Sequence, residues 1–165
     1  MNPEQWTNFF MLVGTGSAAL AGLVFVAITI NLRGVAEDPT HRYRAINMLT
    51  GFSSVFIISA LALMGQQTTQ VLAIEWLVVA LPATAINTSG YFLAFRLRGS
   101  SRYALSAFRV VGGTVCYLGQ IVGSLMLLLG NGSGINIAAI ALVANFYFLI
   151  SGSWLLIVGT LPRTE

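Results

Sequence analysis

The chain contains no lysine, one cysteine and one histidine, and it has little charge of either sign. Only 8% of its 165 residues are Asp, Glu, Lys or Arg, against about 25% in a soluble domain. That is too little charge to coat a water-facing surface. A soluble globular domain, a charged disordered tail and a nucleic-acid module are thereby excluded, and no nucleic-acid partner is expected. The single cysteine, Cys116, lies in an apolar run, so neither an intrachain disulfide nor a CxxC redox pair can form. With His41 as the only histidine, bis-histidine haem ligation and a multi-histidine zinc site within one chain are also excluded.

Catalytic patterns are missing too. There is no HExxH, no GxSxG, no Ser/His/Asp set and no pair of carboxylates within one apolar run. Gly14-Thr15-Gly16 and Gly130-Asn131-Gly132-Ser133-Gly134 resemble phosphate loops only superficially, since no lysine follows either. No catalytic residue, metal ligand set or cofactor site is expected.

What is present is apolar sequence: 56% of the residues, at a mean hydropathy of +0.83. A bilayer core requires about 20 apolar residues of helix. Five runs meet that length, from about Phe9 to Leu32, Ala45 to Gly65, Val71 to Phe95, Val110 to Leu129 and Ile135 to Gly159. In lipid the backbone must satisfy its own hydrogen bonds, so such runs form helices even where β-branched residues are frequent. The expected fold is an all-α integral membrane protein, a single domain built as a bundle of five transmembrane helices.

The charges orient that bundle. All eight basic residues are arginines. Gln66–Gln70 and Asn131–Gly134 are short uncharged turns, whereas Arg33–Arg44 and Arg96–Arg109 are longer and arginine-rich. Five alternating spans place both arginine-rich connections and Arg163 on one side. The positive-inside rule makes that side cytoplasmic, with the N-terminus outside and the C-terminus inside. Trp6, Phe9, Phe10 and Trp76 then fall near the outer interface, and Tyr43, Tyr91, Phe95 and Trp154 near the inner one, as an aromatic belt requires. The first run lacks a basic leader and is too long for a signal-peptide core, so it reads as a retained span.

Three groups of residues carry the functional expectations. Gly14, Ala18 and Gly22 in the first span, and Gly112, Gly119 and Gly123 in the fourth, form small-residue faces. Such faces let helix backbones approach closely, either within one bundle or across a homo-oligomer seam. Polar residues at membrane depth form the second group. Glu75 is the only acid inside an apolar run; it is either an interfacial acid beside Trp76 or a proton- or cation-handling group. Gln120 and Asn145 lie at similar depth and can pair as structural glue or line a polar path. Thr84, Asn87 and Thr88 follow Pro82, whose missing N–H predicts a kink. Together with Asn47 they outline a candidate polar pocket. Third, Arg33, Arg42, Arg44, Arg96, Arg98, Arg102 and Arg109 form a basic collar suited to anionic lipid headgroups.

The stretch Trp6–Leu32 reads WTNFFMLVGTGSAALAGLVFVAITINL and is followed by Arg33. It resembles small uncharacterised bacterial inner-membrane proteins with several spans. The resemblance implies a bacterial inner-membrane setting and brings no activity, ligand or catalytic residue with it. The leading functional expectation is a non-enzymatic scaffold or regulatory subunit that acts through helix contacts, as a homo-oligomer or with a membrane-protein partner. The alternative is a small homo-oligomeric channel or transporter for an ion or small solute. The third is a lipid-handling membrane enzyme.

Overall fold

A computed structural model describes the backbone of residues 3–65, 67–97 and 103–159 and the side chains of residues 6–39, 41–65, 67–89 and 111–154. All described regular structure is helical. In order, the helices are α1 (Pro3–Ile30), α2 (Leu32–Glu37), α3 (Pro39–Leu63), α4 (Thr69–Leu97), α5 (Tyr103–Leu128) and α6 (Gly134–Gly159). Five of them have 25 to 29 residues. At a rise of 1.5 Å per residue that is about 40 Å, and each contains a stretch long and apolar enough to cross a membrane.

The helix ends have local causes. Gly130 adopts φ 82°, the left-handed conformation that glycine accepts most readily. There the Gly130 N–H donates to the Leu127 carbonyl and the Asn131 N–H to the Met126 carbonyl, the paired bonds of a Schellman cap. Asn131 Oδ1 then accepts the Ser133 N–H at 3.0 Å, closing the turn into α6. At the other short turn, Thr68 Oγ1 accepts the Val71 N–H and caps α4. The Arg33–Arg44 connection, which reads as a loop in the sequence, is helical over most of its length. Pro39 forces the preceding Asp38 into an extended conformation (φ −97°, ψ 111°), ending α2, and then opens α3 at the position where proline is best tolerated. Helix α4 runs without interruption through Pro82.

The four helices α3, α4, α5 and α6 form a closed ring in which each packs against the next and α6 returns to α3. Among the described residues, the backbones of the diagonal pairs α3/α5 and α4/α6 stay apart, leaving the centre to side chains. Helix α1 lies outside the ring, mainly along α3, and α2 folds back on α3. The core joins Phe10, Phe52, Val55, Ile58, Trp76, Leu127 and Leu142, all almost fully buried. Trp76 and Phe10 lie at the level an aromatic belt would occupy, but they face the core. Their rings are 5.6 Å apart, and Trp76 Nε1 donates to the Ile58 carbonyl at 3.2 Å. Burial of the indole is tolerated because its N–H has that acceptor.

Candidate functional site

Glycine decides how closely the helices approach. A Cβ built at Gly123 would lie 2.7 Å from the Ala138 backbone nitrogen and 2.7 Å from the Gly134 carbonyl oxygen. One built at Gly119 would lie 3.0 Å from the Ala141 Cβ, and one at Gly112 would overlap the Phe148 ring. The glycine face of α5 is therefore occupied by α6 of the same chain. On α1 the outcome divides. Gly14 is buried, with its missing Cβ 3.0 Å from the Ser59 Cβ, and the neighbouring Ser17 hydroxyl donates to the Phe52 carbonyl at 2.6 Å. Ala18 and Gly22 are exposed, and nothing lies within 4 Å of a Cβ at Gly22. The i, i+4, i+8 stripe drifts by about 40° per step, so Gly22 lies roughly 80° round the helix from Gly14 and has turned away from the α3 contact.

Each ring helix contributes one buried amide: Asn47 from α3, Asn87 from α4, Gln120 from α5 and Asn145 from α6. Asn47 Nδ2 donates to Asn87 Oδ1 at 2.9 Å. Gly113 of α5 faces this pair, its absent Cβ 3.9 Å from the Asn87 amide. Gln120 and Asn145 are not at the same depth and do not pair. The α5/α6 register that sets Gly112 against Phe148 and Gly119 against Ala141 puts Asn145 beside residues 115–116, about five residues or roughly 7 Å from Gln120 along the axis. Both polar atoms of Gln120, Asn145 Nδ2, Asn87 Nδ2 and Asn47 Oδ1 have no hydrogen-bond partner.

The remaining members of the sequence-derived pocket lie elsewhere. Thr84 is half-buried and Thr88 exposed on the outer side of α4. Their hydroxyls donate to the Ala80 and Thr84 carbonyls of their own helix. A hydroxyl satisfied in this way needs no pocket. Glu75 is half-buried near the α3/α4 turn, where Gln67 Nε2 donates to both of its oxygens, at 3.3 and 3.1 Å. It takes no part in the amide cluster.

In the basic collar, Arg33 and Arg42 are exposed and Arg44 is half-buried, on α2 and the first turns of α3. His41 Nε2 lies 3.5 Å from Asp38 Oδ2 in the same region. Arg98 and Arg102 fall outside the described residues, as do the side chains of Arg96 and Arg109. Among the described residues no three His, Cys, Asp or Glu side chains gather where a metal ion could be held. A lateral groove of about 540 Å³ runs between α1 and α6, lined by Trp6, Phe9, Asn136, Ile140, Val143 and Tyr147 among others. Tyr147, near the middle of α6, is 67% exposed there.

Comparison with protein-family models, with curated proteins and with solved structures returns no match.

Proposed function

We propose that this chain is an integral protein of the bacterial inner membrane, N-terminus outside and C-terminus inside, that acts through helix contacts as a scaffold or accessory subunit. It does so by self-association or by docking a partner membrane protein, with the arginine collar against anionic headgroups. One observation carries this reading: the α5 glycine face is consumed internally by α6, while the α1 ridge of Thr15, Ala18 and Gly22 stays exposed. Lipid tails are as apolar as leucine, so helices in a membrane associate where small residues allow close approach. The test is cross-linking and co-purification from native membranes. Gly22→Leu and Ala18→Leu are expected to abolish association without disturbing the fold. If association survives in both variants, the reading fails.

A second reading, a small channel or transporter for an ion or small solute, is favoured by a separate observation. Four helices converge on a centre that contains amide groups the protein itself does not satisfy. Buried polar groups in membrane helices mark substrate pathways more often than chance.

A further inference from the structure

Polar satisfaction is the rule in this interior. Buried Ser17, Ser54, Ser124 and Ser153 all donate to backbone carbonyls, as does the Trp76 indole. The exceptions are Ser59, whose buried hydroxyl has no partner, and the amides. Asn47, Asn87, Gln120 and Asn145 are 6%, 3%, 2% and 1% exposed. Between them they leave three N–H₂ donors and two carbonyl acceptors unmet. Leaving such groups unpaired in an apolar interior costs about 1–3 kcal/mol each.

We propose that these four amides form a binding site for small uncharged hydrogen-bonding molecules, water or urea in size, and that the centre of the ring conducts such molecules in preference to ions. The proposal rests on the second reading above and narrows it. The site lies within each protomer, not on an oligomer axis, and its ligand is neutral.

The ligand class follows from the unmet atoms. A bare cation needs acceptors alone and an anion needs donors alone, whereas this set mixes the two. No Asp, Glu, Lys, Arg or His occurs among the buried residues described, so a charged ligand would enter low dielectric without a counter-charge. The size follows from the packing. Fully buried Leu142, Leu127 and Tyr117 fill much of the interior, and Gly113 leaves room for one methyl-sized group beside Asn87, since a Cβ there would lie 3.9 Å from its amide. Gly113 and Gln120 are seven residues apart, so they share one face of α5, two turns or about 10 Å from each other. The amides therefore form a short column, and a few water-sized molecules in file can bridge it.

The full chain, purified and reconstituted in phosphatidylethanolamine/phosphatidylglycerol vesicles, tests this by stopped-flow light scattering. The probes are osmotic steps with water alone and with urea, alongside K⁺ and H⁺ flux measured with entrapped dyes. The expected result is water or urea permeability above protein-free vesicles with ion flux at background. Gln120→Met and Asn145→Leu, which keep the heavy-atom shape of the side chain closely and remove the amides, should return permeability to the protein-free rate with helix content unchanged. If either variant fails to fold, Gly113→Val serves instead by filling the space beside Asn87, with the same loss expected. Ion flux without neutral-solute flux overturns the inference and leaves the second reading standing. No flux of any kind overturns both. Neutral flux that persists in the folded variants overturns the assignment to these amides.

Discussion

Asn47 on α3 donates through Nδ2 to Asn87 on α4 at 2.9 Å, and this is the one side-chain to side-chain hydrogen bond described that joins two ring helices. The two residues are 40 apart in sequence, so the bond joins the start of one long helix to the far part of the next. Truncating either partner strands the other amide in an apolar centre. Asn47→Leu and Asn87→Leu should each destabilise the protein by about 1–2 kcal/mol. The double variant should cost less than their sum, since no orphan remains. Chemical denaturation in mixed micelles, analysed as a double-mutant cycle, measures the coupling.

Glycines of similar appearance should respond differently. At Gly123 a methyl group would meet the Ala138 and Gly134 backbones, which cannot move aside as a side-chain tip can. Gly123→Ala should therefore cost about 1–3 kcal/mol through overpacking. At Gly22 nothing stands within 4 Å, so Gly22→Ala should be neutral or stabilising by up to about 1 kcal/mol through helix propensity. Thermal unfolding in a single detergent compares the two. Equal effects would contradict the α5/α6 packing described above.

The turn between α5 and α6 depends on one backbone angle. Gly130 sits at φ 82°, whereas Gly132, two residues on, has no positive φ. Gly130→Ala should lower stability by about 1–2 kcal/mol, the cost of a left-handed conformation in an L residue. Gly132→Ala should have little effect. Differential scanning fluorimetry on the pair is sufficient to separate them.

The tryptophans report which surface meets lipid. Trp154 is 67% exposed and Trp76 1%. In vesicles containing brominated lipid, a variant retaining Trp154 alone should be strongly quenched and one retaining Trp76 alone should keep most of its emission. Comparable quenching would mean that the Trp76 face is open to the bilayer and that the core drawn around it is wrong.

The five long helices and their order were legible in the sequence because length and composition dominate helix formation in apolar runs. Each long helix of the structure takes in one of those runs to within its last two residues. The connection at Arg33–Arg44 was less legible. A polar stretch reads as a loop, and only the Asp38–Pro39 step explains why it is two helices end to end. Among the polar residues, Asn47 and Asn87 were both visible as members of an inner cluster. Thr84 and Thr88 looked equivalent to Asn87 by composition, yet they turn outward and satisfy themselves on their own helix. Missing from the sequence reading was Gly113, which faces the amide pair; Ser17 reads as widening the small-residue face of α1, but not as the residue whose hydroxyl ties α1 to the α3 backbone. Neither role stood out, because small residues are frequent throughout the chain.

By itself the sequence determined that the chain is helical, how many long apolar helices it has, where they turn and how its arginines are distributed. These follow from properties local to each segment: run length, a glycine or proline at a boundary, a charge in a connection. Tertiary structure alone decided which glycines are used up in contacts and which stay exposed, and which amides meet. These depend on rotation about a helix axis and on the register between neighbours, where a shift of one residue turns a side chain by 100°. Gln120 and Asn145, level by counting from the helix ends, are separated by the register that Gly119 and Ala141 impose.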